Sequence, residues 1–153
     1  MKAVILYASV HHGNTKKIAE KIAGDAGADL IDVVQNPTAD LAGYDLIGFA
    51  SGAYFGTFHQ AIRELIEKND PLAGKKVFLL CTCGAGYKDY TGSTKKQLKA
   101  KGAVVLGSFQ CRGYDTYGIL GKIGGIAKKH PDQKDLENAV LFFQRMVRAA
   151  ENE

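Results

Sequence analysis

Ser9-Val10-His11-His12-Gly13-Asn14-Thr15 sets small, hydroxyl and glycine residues between a short apolar segment and a segment of helical period. Residues of this kind let backbone N–H groups converge on an anion, and the N-terminus of the following helix adds roughly half a positive charge. The chemistry expected here is phosphate binding. The run is neither G-x-x-x-x-G-K-[ST] nor G-x-G-x-x-G, which disfavours a nucleoside triphosphate or a Rossmann dinucleotide. Taken alone, it is equally compatible with Asn14 and Thr15 acting only as helix caps.

Two further runs carry aromatics among glycines: Ser51-Gly52-Ala53-Tyr54-Phe55-Gly56-Thr57 and Thr82-Cys83-Gly84-Ala85-Gly86-Tyr87-Lys88-Asp89-Tyr90. Glycines permit a close backbone approach to a ligand. Other chemistry is weaker. Adjacent His11 and His12 seldom face one metal, and no Cys or acidic partner stands at ligand spacing. Cys81 and Cys83 share one side of a strand and read as small buried packing groups. Cys111-Arg112 lacks the C-x5-R spacing of a phosphate-binding loop, and no Ser/His/Asp arrangement follows from spacing.

The elements that position these runs are legible from hydrophobic pattern. Ala3–Ala8, Leu46–Ala50, Val77–Cys81 and Ala103–Leu106 are short continuous apolar runs, as strands buried on both faces should be. Ala28–Val34 alternates and suits an edge strand. Helical stripes lie between them: Ile18, Ala19 and Ile22 in the first, then Phe58, Ile62, Leu65 and Ile66, ended by Asn69-Asp70-Pro71. Ser93–Lys101 is a third, closed by Gly102. The clearest begins near Asp132 and carries Leu136, Ala139, Val140, Phe143, Met146 and Val147 at steps of three and four. Strands alternating with helices imply a doubly wound α/β domain, because parallel strands need right-handed crossovers. The 153 residues form one domain with no internal linker. Residues 110–131, with five glycines and no clear period, read as an insertion before the last helix. Loops of that length inside a compact domain are usually functional.

In open α/β sheets ligands bind beyond the carboxyl ends of the strands, where strand order reverses. All three runs fall there. Ile5-Leu6-Tyr7-Ala8-Ser9 followed by Gly13-Asn14-Thr15, Ala19 and Ile22 resembles the flavodoxin signature, in which a strand enters a Ser/Thr-Gly-Asn-Thr loop that holds the phosphate of FMN. The resemblance implies a flavodoxin-like three-layer α/β/α sandwich with a five-stranded parallel sheet of order 2-1-3-4-5, the strand order of that family. It covers nearly the whole chain by element order, while the specific motif spans Ile5–Ile22. It implies phosphate contacts from Ser9, His11, His12, Gly13, Asn14 and Thr15. This loop has one residue more between Ser9 and Gly13 than the family pattern, and histidines where threonines are usual. It also implies that Ser51, Gly52, Ala53, Tyr54, Phe55 and Gly56, with Thr82, Cys83, Gly84, Gly86, Tyr87 and Tyr90, enclose the flavin ring. Phe55 or Tyr54 would cover one face and Tyr87 or Tyr90 the other, with the Gly56 peptide at flavin N5.

Charge distinguishes the chain. Residues 1–76 carry 8 basic and 9 acidic side chains, whereas 77–153 carry 12 and 7. Residues 85–130 hold nine Lys or Arg against Asp89 and Asp115. Flavodoxins are commonly acidic. Positive charge near the ring is expected to favour the reduced, anionic flavin, and the redox partner or small electron donor or acceptor is expected to be anionic. A merely solvated basic helix at Lys95–Lys101 explains part of the excess. Nucleic acid is not expected, since no basic groove interleaved with aromatics is evident. An odd number of cysteines without a disulfide pattern points to reduced thiols and a cytoplasmic setting. No apolar run approaches the ~20 residues of a membrane span, and the start MKAVILYAS lacks the features of a signal peptide.

The reading that follows is an FMN-binding electron carrier with no catalytic side chain. The alternatives are an FMN-dependent NAD(P)H or quinone oxidoreductase on the same fold, favoured by the insertion, and a flavin-free binding or regulatory module.

Overall fold

The computed structural model describes every residue except His11, Asp70, Pro71, Tyr87, Tyr117 and Gly118. Its elements run β1 (Ala3–Ala8), α1 (Asn14–Ala26), β2 (Asp29–Asp32), β3 (Leu46–Gly52), α2 (Gln60–Lys68), β4 (Lys76–Cys83), α3 (Gly92–Ala100), β5 (Val104–Arg112), α4 (Ile119–Lys122) and α5 (Gln133–Asn152). All strand pairs are parallel, in the order β2-β1-β3-β4-β5. This is the order expected. The reversal between β1 and β3 opens a crevice at the carboxyl edge of the sheet.

Alternation along each strand feeds two separate cores. Val4, Leu6, Ile47, Phe49, Val77, Leu79 and Cys81 pack with Phe58, Ile62, Leu65 and Ile66 of the α2 region and with Leu98 of α3. Ile5, Tyr7, Leu46, Ala50, Phe78 and Leu80 pack on the other face with Ile18, Ala19 and Ile22 of α1 and with Phe142, Phe143 and Met146 of α5. Helices on both faces explain why the strands are apolar on both sides. Gly48 belongs to this packing, because a Cβ there would collide with the tip of the Phe78 ring. The Phe78 ring sits edge-on to Phe142 and Phe143, with centroids 6.0 and 5.7 Å away.

The strand ends differ from the sequence expectation. β3 and β4 run on through Gly52 and Cys83, so several residues assigned to loops are the last strand residues. β5 extends to Arg112 rather than stopping near Leu106. Gly107, Ser108 and Gln110 have low strand propensity, but the register with β4 continues to the pair Cys83 and Arg112 after a bulge between Val77 and Phe78. The glycine-rich segment therefore begins at Gly113 and contains the short α4 and an antiparallel bridge between Asp115 and Ile126. Among the described residues no helix is long and apolar enough to cross a membrane.

Candidate functional site

The loops after β1, β3, β4 and β5 surround one cavity of about 420 Å³. Its first wall comes from Ser9, Asn14 and Thr15. His12 and Gly13 both take positive φ, 54° and 66°, which turns the chain sharply into α1. Gly13 is the N-cap and has no side chain to cap the helix. The Ser9 hydroxyl instead accepts from the Lys16 amide at 3.3 Å. Asn14 and Thr15 are not spent on capping: Nδ2 of Asn14 donates to the Tyr114 carbonyl at 2.8 Å, and the Thr15 hydroxyl pairs with that of Thr82 at 2.9 Å. Oδ1 of Asn14 is buried without a hydrogen-bond partner among the described residues. A buried acceptor in that state favours a ligand that can donate to it.

The second wall is Gly52, Ala53, Tyr54, Phe55 and Gly56. Tyr54 and Thr57 exchange backbone hydrogen bonds of 2.7 and 3.1 Å across Phe55 and Gly56, whose φ values are 51° and 82°. Positive φ at both central residues makes a type I′ turn, which suits glycine and strains a bulky side chain. Phe55 is nevertheless at the tip and 92% exposed. Tyr54 lies beneath, where burial raises its phenol pKa and the Val10 amide lies in hydrogen-bonding position to it. Ser51 is fully buried and does not border the cavity; its hydroxyl donates to the Gly52 carbonyl at 2.7 Å and accepts from the His59 amide at 2.8 Å. It holds the two ends of the loop together.

Thr82, Cys83, Gly84, Ala85, Lys88 and Tyr90 form the third wall. The Tyr90 hydroxyl donates to the Ala85 carbonyl at 3.1 Å, and Gln110 of β5 ties this loop down by accepting from the Tyr90 amide and donating to the Lys88 carbonyl. The Lys88 ammonium lies 5.2 Å from the centre of the Tyr90 ring and 3.5 Å from the Cβ position of Gly56, so it bridges the second and third walls. Gly86 stands outside the cavity against the stem of Arg112. Burial pushes the Cys83 thiol pKa up, against a smaller opposing effect of the Arg112 cation. A protonated thiol is a poor nucleophile. The three cysteines are all buried and free, in keeping with packing groups.

Gly113, Tyr114 and Asp115 close the remaining side. Sequence reasoning missed them, together with Ala85 and Lys88 as lining residues. The signal is a Gly-Tyr-Asp triplet directly after a strand, concealed because the apolar run of β5 fades after Leu106. Gly113 is required by contact, since a Cβ there would meet Nδ2 of Asn14 at 2.6 Å. His12, expected at the phosphate, borders no part of the cavity and instead engages Tyr114 and Thr116. His11 and Tyr87 lie outside the described residues.

A family model described as Flavodoxin domain matches residues 4–124. The chain is 39% identical over 150 residues to an uncharacterized protein of Methanocaldococcus jannaschii, covering 97% of this chain and 99% of that one. Among solved structures, oxidised flavodoxin 2 from Bacillus cereus superposes with a TM-score of 0.67 at 23% identity, over 97% of this chain and 99% of that one. A Lactobacillus acidophilus flavoprotein in complex with FMN matches 71% of this chain and 92% of its own, with a TM-score of 0.57 and 22% identity. The structural likenesses establish the fold.

Proposed function

The chain belongs to the flavodoxin family, and from that premise we propose that its cavity takes FMN and that the protein transfers electrons. The observation that carries this reading is the enclosure of one cavity by a helix N-terminus at one end and aromatic and glycine loops at the other. The residues fit the group. Amides of the first turn of α1, with the Thr15 hydroxyl, would hold its phosphate. The unpartnered Oδ1 of Asn14 calls for a donor such as a ribityl hydroxyl. Gly52 and Gly56 allow backbone approach to a flat ring, with Tyr54 or Phe55 on one side and Tyr90 on the other.

FMN supplies the redox chemistry when bound, and the chain supplies binding, orientation and electrostatics. No side chain is needed as nucleophile, acid or base. Lys88 at the cavity and the basic second half of the chain favour an anionic partner or electron donor. Reduced, free thiols accord with a cytoplasmic setting. A second reading, an NAD(P)H or quinone oxidoreductase, is favoured by the wall from Gly113 to Asp115, because a plain carrier gains nothing from closing that side.

The test is direct. Purified protein is examined for a flavin spectrum, the released cofactor is identified by mass, and NADPH is added with and without a quinone. A yellow protein inert to NADPH supports the carrier; bleaching with turnover supports the enzyme. A colourless protein that takes up no FMN overturns both.

A further inference from the structure

Arg112 ends β5 directly beside Cys83 of β4, and its side chain turns back over the neighbouring loop. Both Nε and Nη2 donate to a single acceptor, the carbonyl of Gly84, at 2.8 and 2.5 Å. The stem lies under Gly86, whose Cβ position is 3.6 Å from Cγ of Arg112. Arg112 does not border the cavity, whereas Gly84 and Ala85 do. In a planar trans peptide the carbonyl and the following N–H point in opposite directions. With the Gly84 carbonyl engaged by the guanidinium, the Ala85 N–H points away from Arg112 and is open to a ligand in the cavity that Ala85 borders.

A carboxylate also stands against Gly84: a Cβ on this glycine would collide with the side chain of Asp115. Asp115 borders the cavity, and its charge opposes any negative charge that develops there. The guanidinium has the contrary effect. Two charge-assisted hydrogen bonds to one carbonyl polarise the whole peptide group and strengthen its N–H as a donor.

We propose that Arg112 is a positioning residue for the flavin, acting through the Gly84–Ala85 peptide to aim and strengthen an amide donor at the polar edge of the ring. The inference rests on the FMN reading above. Because the edge becomes more negative on reduction, the contact is worth more to reduced than to oxidised FMN. Arg112 thereby offsets Asp115 without touching the cofactor.

Wild type, Arg112→Met and Arg112→Lys are titrated with FMN in the oxidised state and under reducing conditions, with potentiometry on the bound forms. Arg112→Met is expected to leave oxidised affinity within about threefold and to weaken reduced affinity about tenfold more, which for a two-electron couple lowers the potential by about 30 mV. Arg112→Lys, which keeps the cation, is expected to recover part of the difference and also serves if the methionine variant does not fold. Equal weakening in both redox states would mark a purely structural role and overturn the proposal, as would no change in either. Failure of the wild type to bind FMN is a separate outcome that removes the cofactor reading itself.

Discussion

The imidazole of His12 lies flat on the phenol of Tyr114, with ring centroids 4.2 Å apart and planes 6° from parallel. Nε2 of the same imidazole is 2.9 Å from the Thr116 hydroxyl. One residue of the β1 loop therefore clips the wall that follows β5. A stacked pair and a hydrogen bond together contribute on the order of 1–2 kcal/mol. His12→Ala is expected to lower hydrogen-exchange protection of the Tyr114 and Asp115 amides about tenfold and global stability by about 1 kcal/mol. Unaltered protection would show that the wall is held by its other contacts, Tyr114 N–H to the His130 carbonyl and the Asp115–Ile126 bridge.

Asn14 and Thr15 sit where an anion and a hydroxyl-bearing chain would meet α1, and both side chains are almost fully buried. Replacing both by alanine should weaken FMN binding by at least about tenfold, the effect of one to two lost hydrogen bonds in a buried setting. Isothermal titration decides the point. Unchanged affinity would remove this loop from the binding site.

Phe55 keeps a left-handed backbone at the tip of a tight turn with little of its surface buried. Such a conformation costs a non-glycine residue about 1–2 kcal/mol. Phe55→Gly is therefore expected to preserve or raise unfolding stability, by up to about 1 kcal/mol, while weakening FMN binding. A variant that loses stability would mean that the ring packs in the ligand-free protein more than its exposure indicates.

Gly48 has no room for a side chain, because the Phe78 ring fills the space above it. Phe78 is itself fully buried between the sheet and α5. Gly48→Ala should destabilise the fold by about 1–3 kcal/mol through overpacking. Urea unfolding measures this, and a neutral result would require a core able to shift.

Burial raises the pKa of Cys81, Cys83 and Cys111, with desolvation the first cause in each case. A raised folded-state pKa means that the stabilisation is fully present below the ordinary thiol pKa and is lost as pH climbs toward the folded value. Stability should accordingly decline above about pH 8.5, by up to about 1.4 kcal/mol per pH unit for each thiol. Denaturant curves between about pH 7.5 and 10 test the slope, and Cys111→Ala should flatten it. A flat profile in the wild type would mean the thiols ionise as readily folded as unfolded.

Hydrophobic pattern alone is enough to read the sheet and three of the four cavity walls. Strands covered on both faces must be apolar throughout, so AVILYA and VFLL announce themselves, and α1, α2 and α5 show one apolar face each. The loops that line the cavity carry a local pattern too, because glycines, hydroxyls and aromatics stand directly after a strand. The reach of β5, and everything that follows from it, comes from packing in three dimensions. Gly107, Ser108 and Gln110 carry no strand signal; their pairing with β4 and the packing of Leu106 and Phe109 on the α5 side impose the conformation. That extension places Arg112 beside Gly84 and delivers Gly113–Asp115 to the cavity. His12 joins Thr116 across 104 residues. Contacts of that range depend on register and on which side chains meet in space, and neither is written in the periodicity of any one segment.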